Sequence, residues 1–112
     1  MKAIKIDPFK RRVEEIEVSD DTLATSIGCS LFAIGARIKA GRFKEDTLYV
    51  DDEGMITPNK PVFKFKDRDG EQTLAGNGVL LGADIRTGES EDVGSSLFDV
   101  AIAVEWTDLV TR

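Results

Sequence analysis

The chain has no histidine, one cysteine, three prolines and no long apolar run in its 112 residues. Each shortage removes chemistry. Without imidazole there is no Ser-His-Asp or Cys-His arrangement. With one cysteine and no histidine there is no zinc site of the usual Cys/His type. Cys29 alone cannot close an intramolecular disulfide, so no disulfide framework supports the fold. Any catalysis would rest on carboxylates, lysines, Tyr49 or Cys29. The longest uncharged stretch, residues 22–36, contains Gly28, Ser30 and Gly35 and falls short of the roughly 20 residues of a spanning helix. No membrane association is expected. The opening Met1-Lys2-Ala3-Ile4-Lys5 has no secretory pattern, which makes the cytoplasm the expected compartment.

Basic residues are also in deficit. Fifteen Lys and Arg stand against 21 Asp and Glu, a net charge of −6. Neutralising phosphates needs a net basic face, so no nucleic-acid partner is expected. The one basic run, Lys10-Arg11-Arg12, reads as a solvated turn. With 41% hydrophobic and 32% charged residues, the chain has enough apolar content for one core, and a single domain over residues 1–112 is expected.

Hydrophobic alternation dominates, which argues for strands. Ala3 to Ile6 reads as a first strand stopped at Asp7-Pro8, with a partner over residues 12–18 and a bulge near Glu14-Glu15, because Val13 is out of phase with Ile16 and Val18. Ser19, Asp20 and Asp21 offer helix-capping oxygens. Leu23 and Ile27 then share a helical face, and Gly28 supplies the stop. In residues 31–39, Phe32, Ile34, Ala36 and Ile38 fall on one face of a strand. Further strands are expected at 47–50, at 62–66 with Phe63 and Phe65 inward, and at 73–83 with an interruption at Gly76-Asn77-Gly78. Asp67-Arg68-Asp69-Gly70 is a hairpin signal. Residues 84–96 read as an exposed loop, and residues 99–106 as a closing strand with Val100, Ile102, Val104 and Trp106 on one face. The expected fold is α+β: a mostly antiparallel sheet of five to seven strands with one short helix packed on one face. The expected core is Ile4, Ile6, Leu23, Ile27, Phe32, Ile34, Phe63, Phe65, Val100, Ile102 and Trp106.

Candidate sites are few. In the corner Asp51-Asp52-Glu53-Gly54 alternate residues converge, so Asp51 and Glu53 share a face while Asp52 points away. Neither this corner nor Asp67 to Glu71 has the ligand spacing of a calcium loop. Gly76-Asn77-Gly78 contains G-x-G, but the next glycine, Gly82, comes one residue late for a dinucleotide fingerprint, and the flanks are strand-like. No catalytic residue, metal or cofactor is assigned. Cys29, at a helix end where no dipole lowers its pKa, reads as a small buried residue. In the closing strand, Ala101 and Ala103 would form a small-residue face at a sheet edge. That edge either pairs with a second copy or is blunted by Asp99 and Glu105 in a monomer.

Two segments carry a resemblance. Leu48-Tyr49-Val50-Asp51-Asp52-Glu53-Gly54, followed by Asn59, resembles the L-Y-V-(N/D)-E-E-G signature of a family of small phage- and plasmid-borne domains of unknown function. Leu74 to Gly82 is similar to that family's later G-N-(small)-V-(apolar)-(apolar)-G element, and Ile27-Gly28-Cys29 sits where the family often has a glycine pair. Asp52 stands where Glu is commoner, and Cys29 replaces the second glycine. The resemblance implies a mobile-element origin and no activity. The expected function is therefore a non-catalytic accessory protein acting on a protein partner. The alternative is a small-molecule binding module that uses Asp51, Glu53 and Gly54 with Gly76, Asn77 and Gly78.

Overall fold

A computed structural model describes residues 1–29, 31–67 and 70–112. These form nine β-strands and two short helices, in the order β1 (Lys2–Asp7), β2 (Arg12–Glu17), α1 (Leu23–Ile27), β3 (Phe32–Lys39), β4 (Lys44–Asp51), β5 (Pro61–Asp67), β6 (Gly70–Ala75), β7 (Gly78–Asp84), β8 (Ser90–Glu91), α2 (Leu97–Ala103) and β9 (Val104–Val110). Every strand pairing is antiparallel. The larger sheet runs β2-β1-β7-β4-β3 with β8 beside β7, and the smaller runs β6-β5-β9. The fold is thus largely β with a little helix, in two sheets rather than the single sheet expected.

The larger sheet buries both faces. On one, Ile4, Ile6, Leu48, Val50 and Leu80 pack with Phe63 and Phe65 of the smaller sheet and Val100 of α2. On the other, Ala3, Val79 and Leu81 pack with Val18 and with Leu23 and Ile27 of α1. Strand β7 feeds both, which is why Val79-Leu80-Leu81 is apolar without alternation. Gly28 ends α1 with φ +83, and its N–H donates to the Ala24 carbonyl. Asp20 and Asp21 do not cap this helix. Its N-cap is Thr22, whose hydroxyl accepts from the backbone N–H of Ser19.

The chain passes between the sheets three times: through residues 52–60, through Gly76-Asn77, and through residues 92–103. The third passage is held by a fully buried carboxylate. Asp46 on β4 accepts from the backbone N–H of Gly94 at 2.8 Å and of Ser95 at 2.7 Å, and from the Ser95 hydroxyl. Ser96 then caps α2, accepting from the Asp99 N–H at 3.1 Å.

Several expectations are corrected. Residues 97–103 are helical, so Ala101 and Ala103 lie on α2 and form no strand face or sheet edge. Val100 turns inward while Ile102 is exposed. Strand β3 carries a bulge between Ile34 and Ala36, which puts Phe32 and Ile34 on the opposite face from Ala36 and leaves both exposed. Strand β2 pairs with β1 without a bulge. Val13 and Ile16 face opposite cores, and both faces are covered. Residues 73–83 are two strands in different sheets. The 84–96 segment is tied down by β8 and Asp46. Trp106 is half-buried against the first core. In the β5–β6 hairpin Asp67 pairs with Gly70, and Arg68 and Asp69 lie outside the described residues.

Asp46→Ala leaves two backbone N–H groups and a hydroxyl without their acceptor. At about 1.5–3 kcal/mol for a hydrogen bond to a charged group, the expected loss is on the order of 3 kcal/mol. Urea denaturation measures it. A loss under about 0.5 kcal/mol would show that the latch does not hold this passage.

Candidate functional site

The two motifs singled out in the sequence are the first two passages between the sheets, and the fold brings them together. Asp51 ends β4 with its carboxylate mostly buried. One oxygen accepts from the Lys60 ammonium at 2.9 Å and the other from the Glu53 backbone N–H at 2.9 Å. The Gly54 N–H donates to the Asp51 carbonyl at 3.0 Å, closing the turn. Gly54 is buried, and a Cβ on it would stand 2.9 Å from the Ala75 carbonyl oxygen, one residue before the second motif. The Gly76 N–H donates to the Pro61 carbonyl, and Gly76 holds φ +75 beside the Lys60 side chain. Lys60 therefore ties the acidic corner to the glycine corner.

A clamp from the far end of the chain secures this region. Thr111 is buried, and its hydroxyl accepts from the Lys60 N–H and donates to the Thr57 carbonyl. The N–H groups of Asn59 and Thr111 add reciprocal backbone bonds to the Thr111 and Lys60 carbonyls. Asn59 holds φ +62, a conformation that asparagine tolerates well.

Beside the corner, Cys29, Leu31, Asp51 and Glu53 line a cavity of about 210 Å³. Asp51 and Glu53 converge there, as their spacing predicts. Gly54, Gly76 and Gly78 make the corner compact, with Gly78 packed against Leu48 and Phe63. The side-chain oxygen of Asn77 is buried and has no hydrogen-bond partner among the described residues.

The electrostatics leave little reactive. Burial pushes the Asp51 carboxyl up, but the Lys60 hydrogen bond, the Glu53 N–H and the Lys60 charge outweigh it and hold Asp51 below the usual carboxylate range. Cys29 is pushed the other way: burial, then the Asp51 charge, raise its thiol pKa against the opposing pull of Lys60. A thiol held protonated is a poor nucleophile. Cys29 is half-buried rather than buried. Among the described residues no group of three or more Cys, Asp or Glu side chains is placed to hold a metal ion.

The other two expected contact residues lie elsewhere. Ala101 is exposed on α2. Ala103 is half-buried and lines a cleft of about 260 Å³ with Ile38, Lys39, Lys66 and Asp99. On the same helix the structure reveals an exposed ridge, Phe98 and Ile102, one helical turn apart. Ser96-Leu97-Phe98-Asp99, a Ser-x-x-Asp ahead of an apolar run, is the capping signal that could have revealed the helix.

Two outcomes test the corner. Gly54→Ala sets a methyl against two backbone carbonyls that cannot swing aside, and destabilisation of about 1–3 kcal/mol is expected by thermal or urea unfolding. For Asp51, a carboxyl that ionises more readily in the folded chain contributes stability above its unfolded pKa and loses it as pH falls through its folded pKa. Asp51→Asn should therefore flatten the decline of melting temperature between about pH 5 and pH 2. An unchanged slope would show that the Lys60 pairing has no net stabilising effect.

A family model described as Domain of unknown function (DUF3846) matches residues 1–103. No curated protein matches the chain, and no solved structure does.

Proposed function

The chain belongs to the DUF3846 family of domains of unknown function, and we propose that it is a non-catalytic accessory domain of a phage or other mobile element that acts by binding a protein partner. The observation that carries this reading is the outer ridge of α2, where Phe98 is 72% and Ile102 67% exposed. Two large apolar side chains one turn apart on an exposed helix form the anchor pattern of helix-in-groove recognition. The matching partner surface is an apolar groove with a cationic rim facing the exposed Asp99. The mobile-element origin is supported by the resemblance of Leu48 to Gly54 and Leu74 to Gly82 to the signature described above. The protonated Cys29 thiol and the Lys60-neutralised Asp51 favour binding over catalysis.

The second reading, small-molecule binding at the Asp51–Gly54 and Gly76–Gly78 corner, is favoured by the unpaired Asn77 oxygen. Magnitude weighs against it. The adjacent cavity of about 210 Å³ is below the roughly 300 Å³ at which small-molecule sites begin, and Asp51 is already engaged by Lys60.

Phe98→Asp combined with Ile102→Lys changes only exposed side chains, so folding stability should move by less than about 0.5 kcal/mol per site. The double variant should lose the saturable binding of any partner recovered with the wild-type chain. A partner held equally well by both proteins would overturn the assignment of α2.

A further inference from the structure

The four outer strands of the two sheets are not protected alike. Strand β2 carries Arg12, Glu14, Glu15 and Glu17, four charges in six residues, and charges of this kind blunt an edge. Strands β6 and β9 carry Glu71, and Glu105 with Asp108. Strand β3 differs. From Leu31 to Ala36 it has no charged residue, and Leu31, Phe32 and Ile34 are 67%, 41% and 48% exposed.

The bulge at Gly35 organises this edge. Phe32, Ile34, Arg37 and Lys39 lie opposite Asp51, Tyr49, Thr47 and Glu45 of β4, so all four β3 side chains share one face of the sheet. This is the face covered by α1, which packs on β7 and β4 and leaves β3 open. The Phe32 ring meets Tyr49 edge-on, with centroids 5.3 Å apart, and offers its other side to solvent. At the start of the strand the Asp52 N–H donates to the Leu31 carbonyl, which seats the exposed acids Asp52 and Glu53 there. At the end stand the exposed bases Arg37 and Lys39. The only ion pair holding them is Arg37 to Glu45 at 3.5 Å among the described residues, an exposed contact that exchanges at little cost.

The edge therefore reads acid, apolar, base along its length. A surface of that polarity is complementary to itself when a second copy is turned end for end, the arrangement of a two-fold dimer. We propose that β3 is a homodimer edge: two copies meet antiparallel along β3, Phe32 and Ile34 of each cover those of the other, and Arg37 and Lys39 of each reach Asp52 and Glu53 of the other. Helix α2 packs on the opposite core through Val100, and its exposed ridge stays free for the partner proposed above, so the two ideas fail independently.

Sedimentation equilibrium with a charge swap is the test. The wild type should show twice the 12.3 kDa chain mass, with a Kd on the order of 10–100 µM, as fits a small interface. Arg37→Glu with Lys39→Glu makes both ends acidic, and Asp52→Lys with Glu53→Lys makes both ends basic. Each variant alone should be monomeric, and an equimolar mixture should restore the dimer, which a folding defect could not do. Phe98→Asp with Ile102→Lys should leave the wild-type dimer unchanged. A monomeric wild type across that range, a dimer indifferent to either charge reversal, or a mixture that stays monomeric would overturn the proposal.

Discussion

One buried carboxylate decides how the two sheets are joined at their last crossing. Asp46 has no exposure to solvent and accepts three hydrogen bonds from Gly94 and Ser95. A charged acceptor in a dry interior is stable only when its oxygens are satisfied, and here the satisfying groups come from about fifty residues away in the chain. Once Ser95 is fixed, Ser96 is placed to cap α2, Val100 is aimed into the core, and Val104 and Trp106 enter the smaller sheet opposite Phe65 and Phe63. The smaller sheet has only three strands, so without β9 one side of β5 would lose its partner. Asp46 thus acts on the packing of Phe63 and Phe65 through a covalent path and not through contact.

The corner where the two sequence motifs meet follows from the same need. A chain that leaves one sheet for another must turn sharply while its backbone groups stay paired. Asp51 supplies an acceptor for the turn, Gly54 lets the Ala75 carbonyl approach, and Lys60 fills the space beside Gly76. Acid, glycine and lysine at this spacing look like the raw material of a ligand site. Here most of their polar atoms are directed at one another, and Thr111 locks the assembly from outside. Conversion of this corner into a pocket would require the Asp51–Lys60 pair to open.

Much of the architecture was legible in the sequence, because strands with one buried face announce themselves. Ile4, Ile6, Phe63 and Phe65 alternate and are buried, and Leu23, Ile27 and Gly28 show the helix and its stop. The failures share a cause. Val100, Ile102, Val104 and Trp106 are spaced by two, and a period of two outweighed the capping pattern at Ser96 and Asp99, although only Val104 and Trp106 belong to a strand. At Gly35 the period is interrupted without any change in composition, so Phe32 and Ile34 look continuous with Ala36 and Ile38. Beyond Gly76-Asn77 an apolar strand follows at once, and nothing local states that the chain has changed sheets. Sequence spacing records which residues share a face within one element. It does not record a shift from one element to the next.

Those breaks in period also explain part of the exposed apolar surface. Phe32 and Ile34 are turned outward by the bulge, and Ile102 is turned outward because α2 is a helix. None of these side chains is needed to close a core: the first core is completed by Ala36, Leu48 and Val100, and the second by Leu23, Ile27 and Val79. Polar residues at positions 32, 34, 98 and 102 would be compatible with the same fold and would lower the tendency of a chain this size to associate. Isolated exposed apolar residues are ordinary on protein surfaces. Here they are grouped: on β3, next to acids at one end and bases at the other, and on α2, one turn apart. Grouping of that kind is a property of contact surfaces, and the proposed partner and dimer contacts rest on these two apolar faces rather than on the polar corner that first draws the eye in the sequence.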